Sequence, residues 1–297
     1  MSVIRVGSRE SRLAVIQSEL VMEAIRAACP GAALELVTMK TTGDKILDRT
    51  LDQVGGKGLF VKELDAALLE GRVDLTVHSL KDLPMEPHPG LPVAAYPRRA
   101  DPRDVLVLPE GETEWDRSRP VGCASLRRKL QLEALFPGVE VRPVRGNVLT
   151  RLNKLDRGEY GALVLAAAGL ERLGLAGRIA RYFSVEELLP AAGQGILAVQ
   201  VRAGADYPWL SALNDPASAA CARAERAFVR ALDGGCSSPV AAHAVLEGET
   251  LCLTGMDEEG RKAAVRGPRR EAEALGETAA LDLSPTLARQ MKGARHG

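Results

Sequence analysis

The stretch Val73-Asp74-Leu75-Thr76-Val77-His78-Ser79-Leu80-Lys81-Asp82-Leu83-Pro84 decides the fold. Its apolar-rich first part, residues 73–77, predicts a buried strand, and Pro84 prevents a strand or a helix from continuing. Ligands of open α/β sheets bind beyond the carboxyl ends of the strands, so we expect Ser79, Lys81 and Asp82 to face a site. Taken alone, the stretch fits a solvated loop with a surface ion pair better. Arginines elsewhere in the chain reverse that balance.

The composition is that of a globular protein with room for two or three domains. The 297 residues are 46% hydrophobic, and the formal net charge is zero. Zero net charge argues against binding to nucleic acid or to a membrane surface. The five cysteines form no C-x-x-C pair, which argues against zinc and against a redox dithiol. An odd cysteine number, no signal-peptide segment and no bilayer-length apolar run predict a cytoplasmic protein.

Alternating strand and helix signals predict an α/β unit at the start of the chain. Strands at 3–7 and 34–39 flank a helix that Ser11 caps, and further strands precede Ser79 and Pro97. The first strand-to-helix loop places Arg9 and Ser11 where backbone N–H groups favour anions. The polar, glycine-containing segment 41–58 has little periodicity and predicts a lid-like loop. Its Gly55-Gly56-Lys57-Gly58 run lacks the spacing of a nucleotide-binding loop.

A second α/β unit follows the proline- and charge-rich segment 97–104. Arginines recur on its strand-to-helix connections, which share one edge of the predicted sheet. Arg127 and Arg128 lie in the first turn of a helix that Ser125 caps, where cations oppose the helix dipole. A ligand anion that compensates both charges is one explanation, and side chains that reach Glu133 or solvent are the other. The later arginines are Arg145, Arg151 and Arg172.

A second proline- and glycine-containing crossing occupies 189–195, and a strand at 196–201 follows it. Two crossings predict that the chain returns to the first unit and forms a hinged cleft. From Asp215 on, a helix, short antiparallel strands and a helical C-terminus predict a third unit. The predicted fold is therefore two hinged, doubly wound α/β domains resembling periplasmic binding proteins, plus a small C-terminal α+β domain. The predicted boundaries are 1–97 with 196–214, then 98–195, then 215–297.

Cys236 follows Gly234-Gly235, where the backbone can turn tightly and expose the sulfur. Exposure favours a reactive thiol, but a nucleophilic triad also needs a histidine, and His243 is the nearest in sequence. From spacing alone, a structural thiol and a functional thiol fit equally well.

Several runs are distinctive together: Val54-Gly55-Gly56-Lys57-Gly58-Leu59-Phe60, the stretch from Val77 to Pro84, Ser125-Leu126-Arg127-Arg128, Arg145-Gly146-Asn147, Gly193-Gln194-Gly195 and Gly234-Gly235-Cys236. They resemble the porphobilinogen deaminase (hydroxymethylbilane synthase) family over almost the whole chain. One departure is Cys123-Ala124, which stands where the family usually has Thr-Ser. The strand position of Cys123 argues against a second attachment site there.

The resemblance implies a cytoplasmic, monomeric transferase of tetrapyrrole (haem, chlorophyll, cobalamin) biosynthesis. It would condense porphobilinogen head to tail into hydroxymethylbilane and release ammonia, with no metal. It would use a dipyrromethane cofactor, the primer, attached by a thioether to Cys236. Asp82 would hydrogen-bond the pyrrole N–H groups and stabilise the cation that develops as ammonia leaves.

The resemblance also implies binding roles. Carboxylates of the substrate and of the growing chain would be held by Arg9, Ser11, Arg145, Arg151 and Arg172. Those of the primer would be held by Lys81, Ser125, Arg127 and Arg128. Lys57 and Phe60 would belong to a mobile loop over the cleft, and Gln194 to a hinge.

Two other classes of protein fit part of the pattern. A solute-binding protein also has two hinged α/β lobes around an anion-lined cleft, and some transcription regulators have effector domains of similar architecture. The third domain with Gly234-Gly235-Cys236 argues against the first class. No helix-turn-helix is apparent at either end of the sequence, which argues against the second.

Overall fold

The computed structural model describes residues 3–45, 58, 61–234 and 238–284. The first unit alternates strands and helices: β1 Ile4–Arg9, α1 Arg12–Ala28, β2 Leu34–Met39, α2 Thr42–Lys45, α3 Lys62–Leu69, β3 Leu75–Ser79 and β4 Val93–Ala95. The predicted helix cap is confirmed, because Ser11 Oγ accepts a hydrogen bond from Ala14 N at 3.4 Å. Strand β1 pairs with β2 in parallel, as a β-α-β opening requires.

The middle of the chain forms a second alternating series. Its elements are β5 Asp104–Val107, β6 Val121–Cys123, α4 Leu126–Leu135, β7 Val141–Pro143, α5 Val148–Asp156, β8 Ala162–Ala166, α6 Ala167–Arg172 and β9 Ile179–Tyr182. Ser125 caps α4 as predicted, by accepting from Arg128 N at 3.5 Å. The remaining elements are β10 Leu197–Val201, α7 Leu210–Leu213, α8 Pro216–Ala231, β11 Ala241–Glu247, β12 Thr250–Met256, β13 Lys262–Pro268 and α9 Ala272–Leu283.

The two α/β units have the same sheet topology. The first sheet has the order β2-β1-β3-β10-β4, and the second has the order β7-β6-β8-β5-β9. In each, the first three strands are parallel, the fourth is antiparallel to both of its neighbours, and the fifth runs in the same direction as the first three. Strand β10 therefore does return to the first sheet, as predicted. A third sheet, β11-β12-β13, is antiparallel, so the protein is mixed α/β with a small C-terminal α+β unit. The exact domain boundaries stay a prediction.

The two crossing segments between the sheets lie side by side. Ala100 N donates to Gly195 O at 3.2 Å, and Arg99 Nε donates to Gln194 O at 2.8 Å. The fully buried side chain of Gln194 donates to Pro102 O at 2.6 Å. Because buried polar groups are costly to leave unpaired, these bonds hold the crossings together as one structural element.

The C-terminal unit is fastened to this element through Glu225 of α8. The buried carboxylate accepts from Arg99 Nη1 at 2.6 Å, from Gly193 N at 2.6 Å and from Ala244 N at 2.7 Å. One side chain thus joins the first crossing, the second crossing and β11.

Some sequence expectations differ from the structure in position. The central strand begins at Leu75 and not at Val73, because Asp74 turns to bind β1: Arg5 N donates to Asp74 Oδ2 at 2.8 Å. The strand instead extends to Ser79, which pairs with Leu197 of β10. Within the predicted 41–58 loop, Thr42–Lys45 forms a helical turn, and Thr42 N donates to Glu63 Oε1 at 2.9 Å. Residues 46–57 lie outside the described part of the chain.

Helices within the described ranges are all too short or too polar to cross a membrane.

Gly193 at the second crossing offers a test of the backbone geometry. Its φ is +76°, and a Cβ there would lie 2.7 Å from Leu80 Cγ. Gly204 has a similar φ of +77° but open space around the Cβ position. We expect Gly204→Ala to lower the free energy of unfolding by about 1 kcal/mol and Gly193→Ala by about 3 kcal/mol, because only the second adds a clash to the backbone strain. Urea denaturation measures both, and equal losses would contradict the clash.

Candidate active site

A cavity of about 580 Å³ opens where the two α/β units and the C-terminal unit meet. All predicted site residues within the described chain line it: Arg9, Ser11, Lys81, Asp82, Ser125, Arg127, Arg128, Arg145, Arg151, Arg172 and Gln194. Lys57, Phe60 and Cys236 lie outside the described residues. The structure thus brings the described candidates together, while the role of each stays a prediction.

The topology explains this convergence. In both sheets the parallel strands end at the same edge, so the connections that follow them meet there. Arg9 ends β1, and Lys81 and Asp82 lie in the short 3₁₀ turn Leu80–Asp82 directly after β3. In the second sheet, the connections after β6, β7 and β8 lead to the arginines of the cleft.

Asp82 combines a free carboxylate with a fixed backbone. Its side chain is exposed and forms no hydrogen bond or ion pair with any residue that the structure describes. The loop behind it is held by the guanidinium of Arg226 on α8, which donates to the carbonyl oxygens of Leu83, Pro84 and Met85. Asp82 is therefore positioned for a ligand without being neutralised by the protein.

Arg127 and Arg128 are compensated neither by Glu133 nor by solvent. Both are buried, and both bind Asp104, the first residue of β5. Burial alone would raise the pKa of Asp104, but the two guanidinium groups outweigh it and hold that pKa well below its ordinary value. Sequence reasoning missed Asp104, because nothing in its neighbourhood predicts partners more than twenty residues away.

Lys81 lines the cleft from the first α/β unit, opposite Arg127 and Arg128 of the second. Its Nζ donates to Gln194 Oε1 at 3.2 Å. Burial and the charge of Arg128 together lower the pKa of Lys81 to about 8, although Asp82 and Asp104 oppose both effects. Lys81 is thus a cation that sits near its titration point at mildly alkaline pH.

Arg151 and Arg172 supply cations without a carboxylate partner among the described residues. Arg151 Nε donates to Gly146 O at 2.8 Å, and Arg172 Nη2 donates to Gly195 O at 2.7 Å. The pKa of each is lowered to about 10, mainly by burial, and at Arg151 the charges of Arg128 and Arg145 contribute to this shift. Both stay protonated at neutral pH, so the cleft presents guanidinium groups suited to bind carboxylates.

Further polar residues of the cavity had no clear signal in the sequence. Lys40 follows β2, and Gln17 lies on α1 with its Nε2 donating to Ser79 Oγ at 2.9 Å. Gln17 occupies a buried position of an amphipathic helix, where a sequence pattern predicts core rather than site.

Two of the described cysteines are poor nucleophiles. Cys123 is buried at the end of β6, where burial raises the pKa of its thiol. Burial also raises the pKa of Cys221 to about 12. His243 is buried in β11 with its Nδ1 3.8 Å from Glu225 Oε1, and burial lowers the pKa of its imidazole. Over the described ranges no group of His, Cys, Asp and Glu side chains is arranged to hold a metal ion.

The fold and the cavity together are typical of two-lobed α/β proteins that bind a small, multiply anionic molecule in the cleft. The sequence matches the family model "Porphobilinogen deaminase, dipyromethane cofactor binding domain" over residues 4–207. It matches the model for the porphobilinogen deaminase C-terminal domain over residues 219–284. The chain belongs to the porphobilinogen deaminase family.

Individual relatives agree with this assignment. Porphobilinogen deaminase of Acetivibrio thermocellus is 56% identical over 284 residues, which cover 94% of this chain and 97% of that protein. The Ruminiclostridium cellulolyticum protein of the same name is 56% identical over 281 residues, covering 93% and 96%. That of Burkholderia thailandensis is 48% identical over 307 residues, covering 99% and 91%.

Solved structures with a weaker similarity include the periplasmic VFT2 domain of Bordetella pertussis BvgS. It is 18% identical and covers 71% of this chain and 85% of that chain, with a TM-score of 0.41. The effector binding domain of a BenM variant covers 72% and 91% at 16% identity, with a TM-score of 0.42. Scores this low do not establish a common fold, so the fold assignment rests on the sheets themselves.

The depressed pKa of Lys81 predicts a pH dependence of anion binding in the cleft. As pH rises through about 8, Lys81 loses its proton and with it the attraction for a carboxylate. We expect the rate of primer assembly from porphobilinogen to fall over this range, and Lys81→Arg to move the fall to higher pH because arginine stays charged. Lys62→Arg, on the exposed surface of α3, is the control. Identical pH profiles for wild type and Lys81→Arg would contradict the prediction that deprotonation of Lys81 causes the fall in rate.

Proposed function

We propose that the protein condenses porphobilinogen units head to tail into hydroxymethylbilane, releasing ammonia at each condensation, as a transferase of tetrapyrrole biosynthesis. The observation that carries the proposal is a free carboxylate, Asp82, in a cleft whose Arg151 and Arg172 lack carboxylate partners among the described residues. Each pyrrole ring of substrate and product bears two carboxylates. The cleft therefore has the charge that such a ligand needs.

Two sets of cleft residues bind different parts of the ligand in this proposal. The carboxylates of the substrate and the growing chain are bound by Arg9, Ser11, Arg145, Arg151 and Arg172, and those of the primer by Lys81, Ser125, Arg127 and Arg128. Arg127 also donates to Leu189 O at 2.6 Å, and its buried Nε has no hydrogen-bond partner among the residues that the structure describes. A buried donor without a partner is costly, which favours a ligand oxygen at this position. Lys57 and Phe60 belong to a loop over the cleft, and Gln194 to the hinge.

Asp82 carries the chemical step. Its carboxylate accepts hydrogen bonds from pyrrole N–H groups and so orients the ring. As ammonia leaves, positive charge develops on the pyrrole, and a carboxylate already fixed beside it stabilises that charge without reorganisation. Arg226 supports this position by donating to the backbone carbonyl groups of Leu83 and Met85, which follow Asp82 in the loop.

We further propose that Cys236 holds the dipyrromethane cofactor through a thioether. When bound, this group supplies the pyrrole end onto which porphobilinogen is added. Ser238 and Val240, two and four residues after Cys236 in the sequence, line the cavity. Burial of the thiols of Cys123 and Cys221 supports Cys236 as the attachment point over either of them.

Intact-protein mass spectrometry with peptide mapping tests the proposal. We expect the purified chain to carry the mass of two linked pyrrole units on the peptide that contains Cys236. An unmodified chain is then incubated with porphobilinogen, and self-priming followed by release of hydroxymethylbilane supports the enzyme. A chain that gains no adduct and forms no product would contradict the proposal and favour a solute-binding protein.

We propose further that the protein is a cytoplasmic monomer that acts on a small molecule, with no nucleic-acid or membrane partner. Its domains are proposed to be residues 1–97 with 196–214, then 98–195, then 215–297, with Gln194 at the second crossing between the α/β domains.

A further inference from the structure

Asp104 is a carboxylate beneath the cleft to which the family resemblance gives no role. It is fully buried, and its Oδ1 accepts from Arg128 Nη2 at 2.7 Å and from Arg128 Nε at 3.1 Å. The same oxygen accepts from Gln194 Nε2 at 2.9 Å. Oδ2 forms an ion pair with Arg127 Nη1 at 2.8 Å. Asp104 is therefore the centre of a buried cluster of ion pairs and hydrogen bonds, which differs from a surface ion pair because all of its members are withdrawn from water.

Arg127 and Arg128 need a carboxylate partner to remain buried. They are neighbours in the first turn of α4, where the helix dipole and their mutual repulsion both drive guanidinium groups apart and outward. Asp104 holds both inward, and Arg128 donates to its Oδ1 through two N–H groups, which fixes the plane of the guanidinium. Cations in the first helical turn are unfavourable by themselves, so their buried orientation depends on this carboxylate.

Gln194 connects Asp104 to Lys81 on the opposite side of the cleft. Its Nε2 binds Asp104 while its Oε1 accepts from Lys81 Nζ, so the amide orientation that serves one partner also serves the other. Lys81 follows β3 of the first sheet, whereas Asp104 begins β5 of the second. Three cations and one carboxylate leave this cluster with a formal charge of +2, which matches the two carboxylates of a single pyrrole ring.

We propose that Asp104 is a positioning residue for the primer: it orients Arg127 and Arg128 directly, and Lys81 through Gln194, without touching the ligand. This inference rests on the proposed function, because the anions that the oriented cations bind are the primer carboxylates. Side chains of this kind behave like the groups that orient the ligands of a metal, whose loss lowers affinity or activity although they make no contact themselves.

Primer assembly on apo-protein measures the role of Asp104 directly. Apo-protein is produced in cells that make no porphobilinogen, and the mass gained after addition of porphobilinogen is followed over time. We expect Asp104→Asn, which keeps the shape but not the charge, to acquire the primer at least about tenfold more slowly than wild type. Asp257→Asn is the matched control, because Asp257 is also buried and bound to an arginine, Arg261, but lies outside the cleft. The control is expected to load at the wild-type rate.

A double-mutant cycle separates positioning from a general structural effect. Arg128→Lys keeps the charge but cannot make the two-pronged contact with Asp104. If Asp104 acts through Arg128, the effect of Asp104→Asn on loading shrinks to less than about threefold in the Arg128→Lys background. An unchanged effect in that background overturns the orientation of Arg128 by Asp104, and wild-type loading by Asp104→Asn overturns the inference as a whole.

Two further outcomes are distinguished by the same measurement. If Asp104→Asn does not fold, Asp104→Glu carries the test, since it keeps the charge and displaces the carboxylate by one methylene. Slower loading by that variant supports positioning, and wild-type loading overturns it. If wild type itself gains no adduct, the proposed function fails and the inference with it, whereas normal loading by wild type and variants alike overturns the inference alone.

Discussion

Asparagine in place of Asp82 will leave a folded, primed protein that consumes porphobilinogen roughly 10²- to 10³-fold more slowly in kcat, the usual loss when one preorganised electrostatic group is removed. The fold should survive because the Asp82 side chain is exposed and bonded to no described residue. The primer should survive because its proposed cations, Lys81, Arg127 and Arg128, keep their contacts with Gln194 and Asp104. What is lost is the charge beside the developing cation.

Single-turnover and steady-state kinetics measure this loss, with intact mass confirming that the primer is present. Glu86→Gln is the matched control, since Glu86 lies four residues further on, is also exposed, and pairs with Arg230 outside the cavity. The control should retain wild-type kcat. A kcat for Asp82→Asn within about threefold of wild type would remove Asp82 from the chemical step.

Serine at Cys236 will abolish activity altogether, because an alkoxide is far harder to form than a thiolate and no thioether can be made. We expect the Cys236→Ser protein to fold, to bind porphobilinogen reversibly in the cationic cleft, and to carry no pyrrole mass after prolonged incubation. Mass spectrometry of the denatured chain distinguishes covalent from reversible binding.

The control for this change is Cys252→Ser, which removes a half-buried free thiol from β12 of the same C-terminal unit. It should load the primer and turn over like wild type. Primer found on Cys236→Ser, or missing from Cys252→Ser, would move the attachment point to another cysteine.

The parts of the site that the sequence predicted share one property: they follow from local patterns. Ser11 and Ser125 are recognisable helix caps, and the arginines of the second unit stand where parallel strands give way to helices. Because parallel strands end at a common edge, a strand-by-strand prediction already brings Arg9 and Asp82 together at the first sheet and places Arg151 at the edge of the second, and the predicted hinged cleft joins the two edges.

The parts that the sequence did not predict depend on contacts between distant segments. Asp104, Glu225 and Arg226 are each defined by partners more than twenty residues away, and no periodicity encodes such pairings. The shift of the central strand to Leu75–Ser79 has the same origin, since its end is set by pairing with β10. Local propensity places an element, while tertiary hydrogen bonds fix its first and last residues.

The return of β10 to the first sheet also sets an order in which the chain can assemble on the ribosome. Strand β3 pairs with β10 on one side, and β4 pairs with β10 in turn, so neither is complete until residue 201 has emerged. The strands of the second sheet all lie between Asp104 and Tyr182 and are synthesised earlier. Domains generally fold as units as they emerge, so the second α/β unit can fold before the first, although its sequence begins later. Until then, the nascent first lobe carries an open strand edge, the kind of surface at which aggregation begins.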